Sequence, residues 1–185
     1  MEIKIFKSKK IKIRELSRKD LKLASKFQEF DNFLIEEGVQ FFLNRKQSLK
    51  EIKDLLKDSL NNIRKKQHIF LVAEDINQII GIADIILRPG WTNHVGELGI
   101  SVRRGYRGEG IGTYLLKKLI NLSQRKLRPK PEIIRLSVFP TNKLAINLYK
   151  KFGFKRVCKI PNQIKFKNKI LDEIIMLLNL KRSEK

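Results

Sequence analysis

The sequence predicts one α/β domain, a mixed sheet of seven strands with four helices in the order β-α-α-β-β-β-α-β-α-β-β. Three observations carry this. Stretches with apolar residues at helical spacing alternate with stretches at strand spacing. The central strand-like blocks are joined by short turns, which asks for antiparallel pairing. Two late helices connect neighbouring strands, which asks for some parallel pairing. At 185 residues, 42% apolar and 32% charged, the chain is long enough for one sizeable core.

The elements follow in order. "IKIREL" (Ile11–Leu16) reads as the first strand. Ser17, with Asp20 three residues on, starts a helix whose apolar face is Leu23, Phe27, Phe30 and Leu34, with Gly38 as its stop. Ser48 and Glu51 form a capping box for a second helix, lined by Leu49, Ile52, Leu56, Leu60 and Ile63. "HIFLVAE" (His68–Glu74) and "IIGIADIIL" (Ile79–Leu87) are antiparallel strands joined by the turn "DINQ". "VGELGISV" (Val95–Val102) is a further strand, and a helix runs from Gly110 to Gln124. "IIRLSVF" (Ile133–Phe139) is a strand, and a short helix from Asn142 to Phe152 is closed by Gly153. "FKRVCKI" and "KILDEIIMLLN" finish the sheet.

No apolar run is long enough to span a bilayer, and the ends carry neither a secretory signal nor a lipidation motif, so the expected compartment is the cytoplasm, with no membrane partner. Cys158, the single cysteine, is expected as a small, partly buried strand residue. The formal charge is +22, split as +8 over residues 1–66, +1 over 67–124 and +13 over 125–185. That excess allows a nucleic-acid-binding reading. RNA-binding aromatics, zinc-ligand spacing and a clear helix-turn-helix are missing, so a solvated basic surface is the plainer account.

The stretch "ISVRRGYRGEGIGTYLLKKLI" puts arginines and four glycines between a strand and a helix. A helix start presents unpaired N–H groups and a positive dipole end, and glycines let a bulky anion approach them. The loop is not a P-loop, since no lysine precedes Thr113. Nor is it a dinucleotide fingerprint, because Gly108, Gly110 and Gly112 alternate with single residues.

Arg107–Gly112, "RGEGIG", resembles the Arg/Gln-x-x-Gly-x-Gly/Ala loop of the GCN5-related N-acetyltransferase (GNAT) family. The run "ELGISVRRGYRGEGIGTYLLKKLI" resembles that family's fourth strand, pyrophosphate loop and third helix. "LSVFPTNKLAINLYKKFGFKRV" and the closing "IKFKNKILDEIIMLLNL" resemble the segments that follow, so the likeness spans about residues 11–180. It implies a mostly antiparallel seven-stranded sheet, a single domain over residues 1–185, acetyl-CoA as co-substrate, no metal, and an amine acceptor taken as monomer or homodimer. Carried over, the amides of Arg107, Gly108, Glu109, Gly110, Ile111, Gly112 and Thr113 hold the CoA pyrophosphate. Backbone at Ile100, Ser101 and Val102 pairs with pantetheine, on a strand bulged away from its neighbour. Asn142 contacts the CoA arm, and Tyr149 sits beside the sulfur.

The acceptor that the resemblance implies is a protein N-terminus, a lysine or a small amine such as a polyamine, and such an amine must lose a proton before it attacks the thioester. Glu97 is the candidate base, on a strand where many relatives carry a carboxylate. His94 is a second candidate, while His68, opening a strand, reads as structural. Trp91 is a candidate for lining the acceptor cleft. Glu29, Asp31, Glu36 and Glu37 form an acidic stretch suited to a cationic acceptor. The rival readings are the nucleic-acid binder and an acyl-CoA-binding regulator without turnover.

Overall fold

Backbone pairing in the computed structural model, which describes residues 1–38, 45–166 and 168–180, builds one sheet of eight strands. The strands are β1 (Glu2–Phe6), β2 (Lys9–Glu15), β3 (His68–Asp75), β4 (Gln78–Leu87), β5 (Val95–Val102), β6 (Ile133–Val138), β7 (Lys155–Phe166) and β8 (Lys169–Asn179). Their spatial order is β1-β2-β3-β4-β5-β6-β8-β7, antiparallel throughout except for the parallel pair β5–β6. The four helices are α1 (Ala24–Glu36), α2 (Leu49–Arg64), α3 (Ile111–Lys126) and α4 (Lys143–Lys151). Among the described residues no helix is long and apolar enough to cross a membrane.

The eighth strand corrects the expected count. β1 folds back on β2 through a turn in which Lys7 takes φ 50. A lysine at positive φ carries no turn signature of the glycine or asparagine kind, so nothing marks a hairpin here and the sequence predicts the first strand only at Ile11–Leu16.

The local signals produced the expected helices. Ser48 caps α2, its hydroxyl accepting from the Glu51 N–H at 3.2 Å while Glu51 accepts from the Ser48 N–H at 2.7 Å. Gly153 closes α4 at φ 88. The segment after Ser17 first forms a 3-10 turn over Arg18–Leu23 and only then the α-helix.

The sheet buries both faces. Leu71, Ala83 and Ile85 pack with Leu115 and Leu119 of α3 on one face. Phe70 and Val72 pack with Phe27, Phe30 and Leu34 of α1 and with Ile52 and Leu56 of α2 on the other. Each fully buried Leu, Ile or Phe contributes about 1.5–3 kcal/mol. Cys158 departs from expectation. It is a strand residue but exposed, because β7 is the outer edge of the sheet and shifts register between Arg156 and Cys158.

One ion network ties the first strands to the helical layer. Arg14 donates to Asp20 at 2.7 and 2.8 Å and to Glu74 at 2.6 and 3.2 Å, and Asp20 is 1% exposed. Burial alone would push the Glu74 carboxyl up. The hydrogen bonds from Arg14 and Lys12 outweigh it and hold the group below its ordinary value. Replacing Arg14 with Met strands a buried carboxylate and should cost about 3–5 kcal/mol in urea unfolding. A carboxyl depressed in the folded state contributes stability above its unfolded pKa and loses it as pH falls through the folded one. The wild-type chain should therefore show an acid slope below about pH 4.5 that the Arg14→Met variant shows more weakly.

Candidate active site

β5 and β6 pair only at Val95–Ile133, Gly96–Ile134 and Glu97–Arg135. Beyond that point β5 keeps β4 on its other side and β6 keeps β8, but the two no longer meet. The parting is the splay expected of the donor strand, but β5 keeps continuous register with β4 and carries no bulge there. A cleft of about 710 Å³ opens in it, lined by Leu98–Val102 on one wall and Ser137–Phe139 on the other. The loop before α3 and the inner side of α4 close its mouth.

The loop's amides point to what the cleft receives. Among the described residues, the N–H groups of Arg107 through Thr113 have no hydrogen-bond acceptor. Gly110 begins α3 at φ 91, a conformation L side chains rarely adopt, and no side chain caps the helix. The first turn of α3 contains no acidic residue. Unpaired amides at the positive end of a helix form a site for a diphosphate-sized anion.

The hairpin β1–β2 braces this loop. The Lys9 ammonium donates to the Gly105 carbonyl at 2.8 Å and to Glu109 at 3.0 Å, and lies 4.3 Å over the Tyr106 ring. The Tyr106 hydroxyl donates to Asp75 at 2.9 Å. Phe6 meets Tyr114 edge-on at 5.8 Å, and the Tyr114 hydroxyl donates to Glu2 at 2.7 Å. Burial and that bond push the Tyr114 phenol up to about 12. None of this brace was anticipated, because it rests on the strand that the sequence left unmarked.

α4 supplies the remaining wall. Asn142 caps it, its side-chain oxygen accepting from the Ala145 N–H at 3.2 Å. Two turns on, Tyr149 is 7% exposed, packs on Phe154 at 5.7 Å, and its hydroxyl makes no hydrogen bond among the described residues. Burial pushes its phenol up to about 12.

The cleft therefore gathers Ile100, Ser101 and Val102 from β5, Arg107, Gly108, Gly110, Gly112 and Thr113 from the loop and α3, and Asn142 and Tyr149 from α4. Glu109 turns to Lys9, and the Ile111 side chain is buried in the core. Ser137, Leu148 and Lys151 also line the cleft. Sequence reasoning missed them because nothing in a strand serine or a helix lysine marks which wall it will face.

The acceptor candidates are dispersed. Glu97 is held by the Arg135 guanidinium at the last β5–β6 pair. Glu29 accepts from Gln78 at 3.2 Å and Arg103 at 3.3 Å, and Glu36 pairs with Lys46 at 2.5 Å. Glu37 accepts from Arg107 at 2.7 Å, so the end of α1 already touches the glycine loop. Asp31 is pushed up to about 6 by burial. Trp91 is 99% exposed, and neither it nor His94 lines the cleft. Among the described residues there is no cluster of His, Cys, Asp and Glu able to hold a metal ion.

Known proteins share this architecture. The profile of the acetyltransferase (GNAT) family matches residues 32–154. An L-amino acid N-acetyltransferase of Escherichia coli is 35% identical over 39% of this chain and 43% of its own. An N-alpha-acetyltransferase of Sulfurisphaera tokodaii is 32% identical over 53% of this chain and 63% of its own. The chain thus spans about half the length of the curated relatives it matches. Among solved structures, an N-acetyltransferase from Staphylococcus aureus superposes with a TM-score of 0.80 at 22% identity, covering 92% of this chain and 99% of that one. A Salmonella typhimurium protein, described as an acetyltransferase and solved with its cofactor acetyl-CoA, gives 0.78 at 19% identity over 95% and 96%. With the family profile covering most of the chain, and the split strands and open helix start in place, this protein belongs to the GNAT acetyltransferase family.

Proposed function

We propose that this protein transfers acetyl from acetyl-CoA to an α-amine, of a free amino acid or a protein N-terminus, by direct attack of the amine. The observation that carries the donor is the row of unpaired amides from Arg107 to Thr113 at the mouth of the β5–β6 cleft. The relatives that act on L-amino acids and α-amino groups favour this acceptor over a lysine or a polyamine.

The chain's own groups divide the work. The loop amides and Arg107, which gives up Glu37, hold the diphosphate. The free edge of β5 at Ile100–Val102 takes the pantetheine amides as a neighbouring strand would, and a backbone N–H of the same edge stabilises the oxyanion. Tyr149 hydrogen-bonds the sulfur as charge develops on it. Its phenol stays protonated at neutral pH because burial raises it to about 12. Asp31 is the acid of α1 left for a cationic acceptor, since Glu29, Glu36 and Glu37 are ion-paired.

Two outcomes are expected. A Cβ on Gly112 meets Leu148, Val102 and Ile100 at 3.7–4.0 Å, so a longer side chain must project into the cleft. Gly112→Leu should keep the fold, since leucine is a good helix former. It should weaken acetyl-CoA binding in calorimetry at least tenfold, about 1.4 kcal/mol. Unchanged affinity would remove the loop from the donor site. Tyr149→Phe removes an unpartnered hydroxyl, so its melting temperature should not fall. Its single-turnover acetyl transfer should drop roughly 10²-fold, and a change under threefold would make Tyr149 a packing residue.

A further inference from the structure

Asp84 and Gly99 face one another across β4 and β5. Phe70, opposite Asp84 on its other side, belongs to the core beneath α1 and α2, so Asp84 and Gly99 point to that face of the sheet. A Cβ on Gly99 would lie 2.6 Å from Asp84 Oδ1. The carboxylate therefore rests on bare backbone, one residue before Ile100, where only glycine leaves it room. Gly99 itself lines the cleft, and the carboxylate sits against it on the sheet face away from the core that holds Tyr149.

The second oxygen is held. His68 Nε2 lies 3.0 Å from Asp84 Oδ2, with His68 5% and Asp84 27% exposed. His68 Nδ1 is buried and has no partner. An unpaired lone pair there costs less than an unpaired N–H, which assigns the proton to Nε2 and makes His68 the donor. Asp84 thus has one oxygen held by the His68 ring and the other turned to the donor strand. Glu97, two residues before Gly99 on the same strand face, is instead committed to Arg135.

We propose that Asp84, oriented by His68, receives the acceptor ammonium beside β5 and takes its proton. This rests on the acetyl-transfer reading above. The ammonium gives one proton to Asp84, and the freed lone pair forms the C–N bond to the thioester carbon. As the C–S bond breaks, the electron pair leaves on sulfur, which takes the second amine proton by way of Tyr149 or water. Asp84 returns its proton to solvent through its exposed edge, and the sum is amide, CoA thiol and one proton. His68 is a positioning residue, and Gly99 sets which acceptors fit, since any side chain there displaces the carboxylate.

The test measures thiol release from acetyl-CoA by the full chain with an alanine-initiated peptide, free L-amino acids and spermidine as acceptors. Asp84→Ala should lower kcat roughly 10²-fold while calorimetric acetyl-CoA affinity holds, and added formate should restore part of the rate. Asp84→Asn keeps the volume, so its equal loss reads the proton acceptor rather than packing. His68→Gln should cost about tenfold in the native background and nothing further beside Asp84→Ala, as expected of residues acting as one unit. An active wild type matched within threefold by both Asp84 variants overturns this inference alone. So does a loss that formate leaves untouched and that comes with weakened acetyl-CoA binding. A wild-type chain that releases no thiol with any acceptor overturns the acetyl-transfer reading and this inference with it.

Discussion

Every backbone N–H and carbonyl buried in a sheet needs a partner, and at one place this chain withholds it. β5 and β6 pair through Glu97 and Arg135 and then separate. A parallel pair could continue for several more residues, since β5 runs to Val102 and β6 to Val138. The strands that flank the gap are each secured on their outer side, β5 by seven pairs with β4 and β6 by six with β8. That support lets the inner edges stay open without the sheet coming apart, and an open edge is a template for an extended ligand. The ion pair at the last shared position pins the two strands where the opening starts.

The loop that follows β5 needs equal support, because unpaired amides and left-handed glycines hold no shape alone. The hairpin β1–β2 provides it. Lys9 ties Gly105 and Glu109 together, and Phe6 and Glu2 hold Tyr114 on the first turn of α3. On the opposite side Glu37 engages Arg107. Arg107 is thus balanced by Glu37, while Lys9 and Tyr114 fix the loop's frame.

The proposed proton acceptor and proton donor lie on opposite faces of the sheet. Tyr149 lies in the core beneath α3 and α4, while Asp84 and His68 lie on the face covered by α1 and α2. In the proposed reaction an amine entering from the second face meets the donor strand opposite Tyr149.

Local chemistry was legible in the chain itself. The Ser48–Glu51 box, the stop at Gly153 and the alternating glycines before α3 act over three or four residues, so their meaning does not depend on what packs against them. The glycine loop, Asn142 and Tyr149 meet in one cleft because each sits at a fixed spacing on a single element. The long-range pairings were not legible. His68 and Asp84 are 16 residues apart, Glu97 and Arg135 are 38, and Lys9 and Glu109 are 100. Each depends on strand register or hairpin docking, and a one-residue slip would turn the strand residues among them to the other face. The sequence by itself determined where all four helices and seven of the eight strands form, and that an open, glycine-rich loop precedes α3. Tertiary structure alone decided that the carboxylate of Glu97 is spent on Arg135, while that of Asp84 stands against the donor strand.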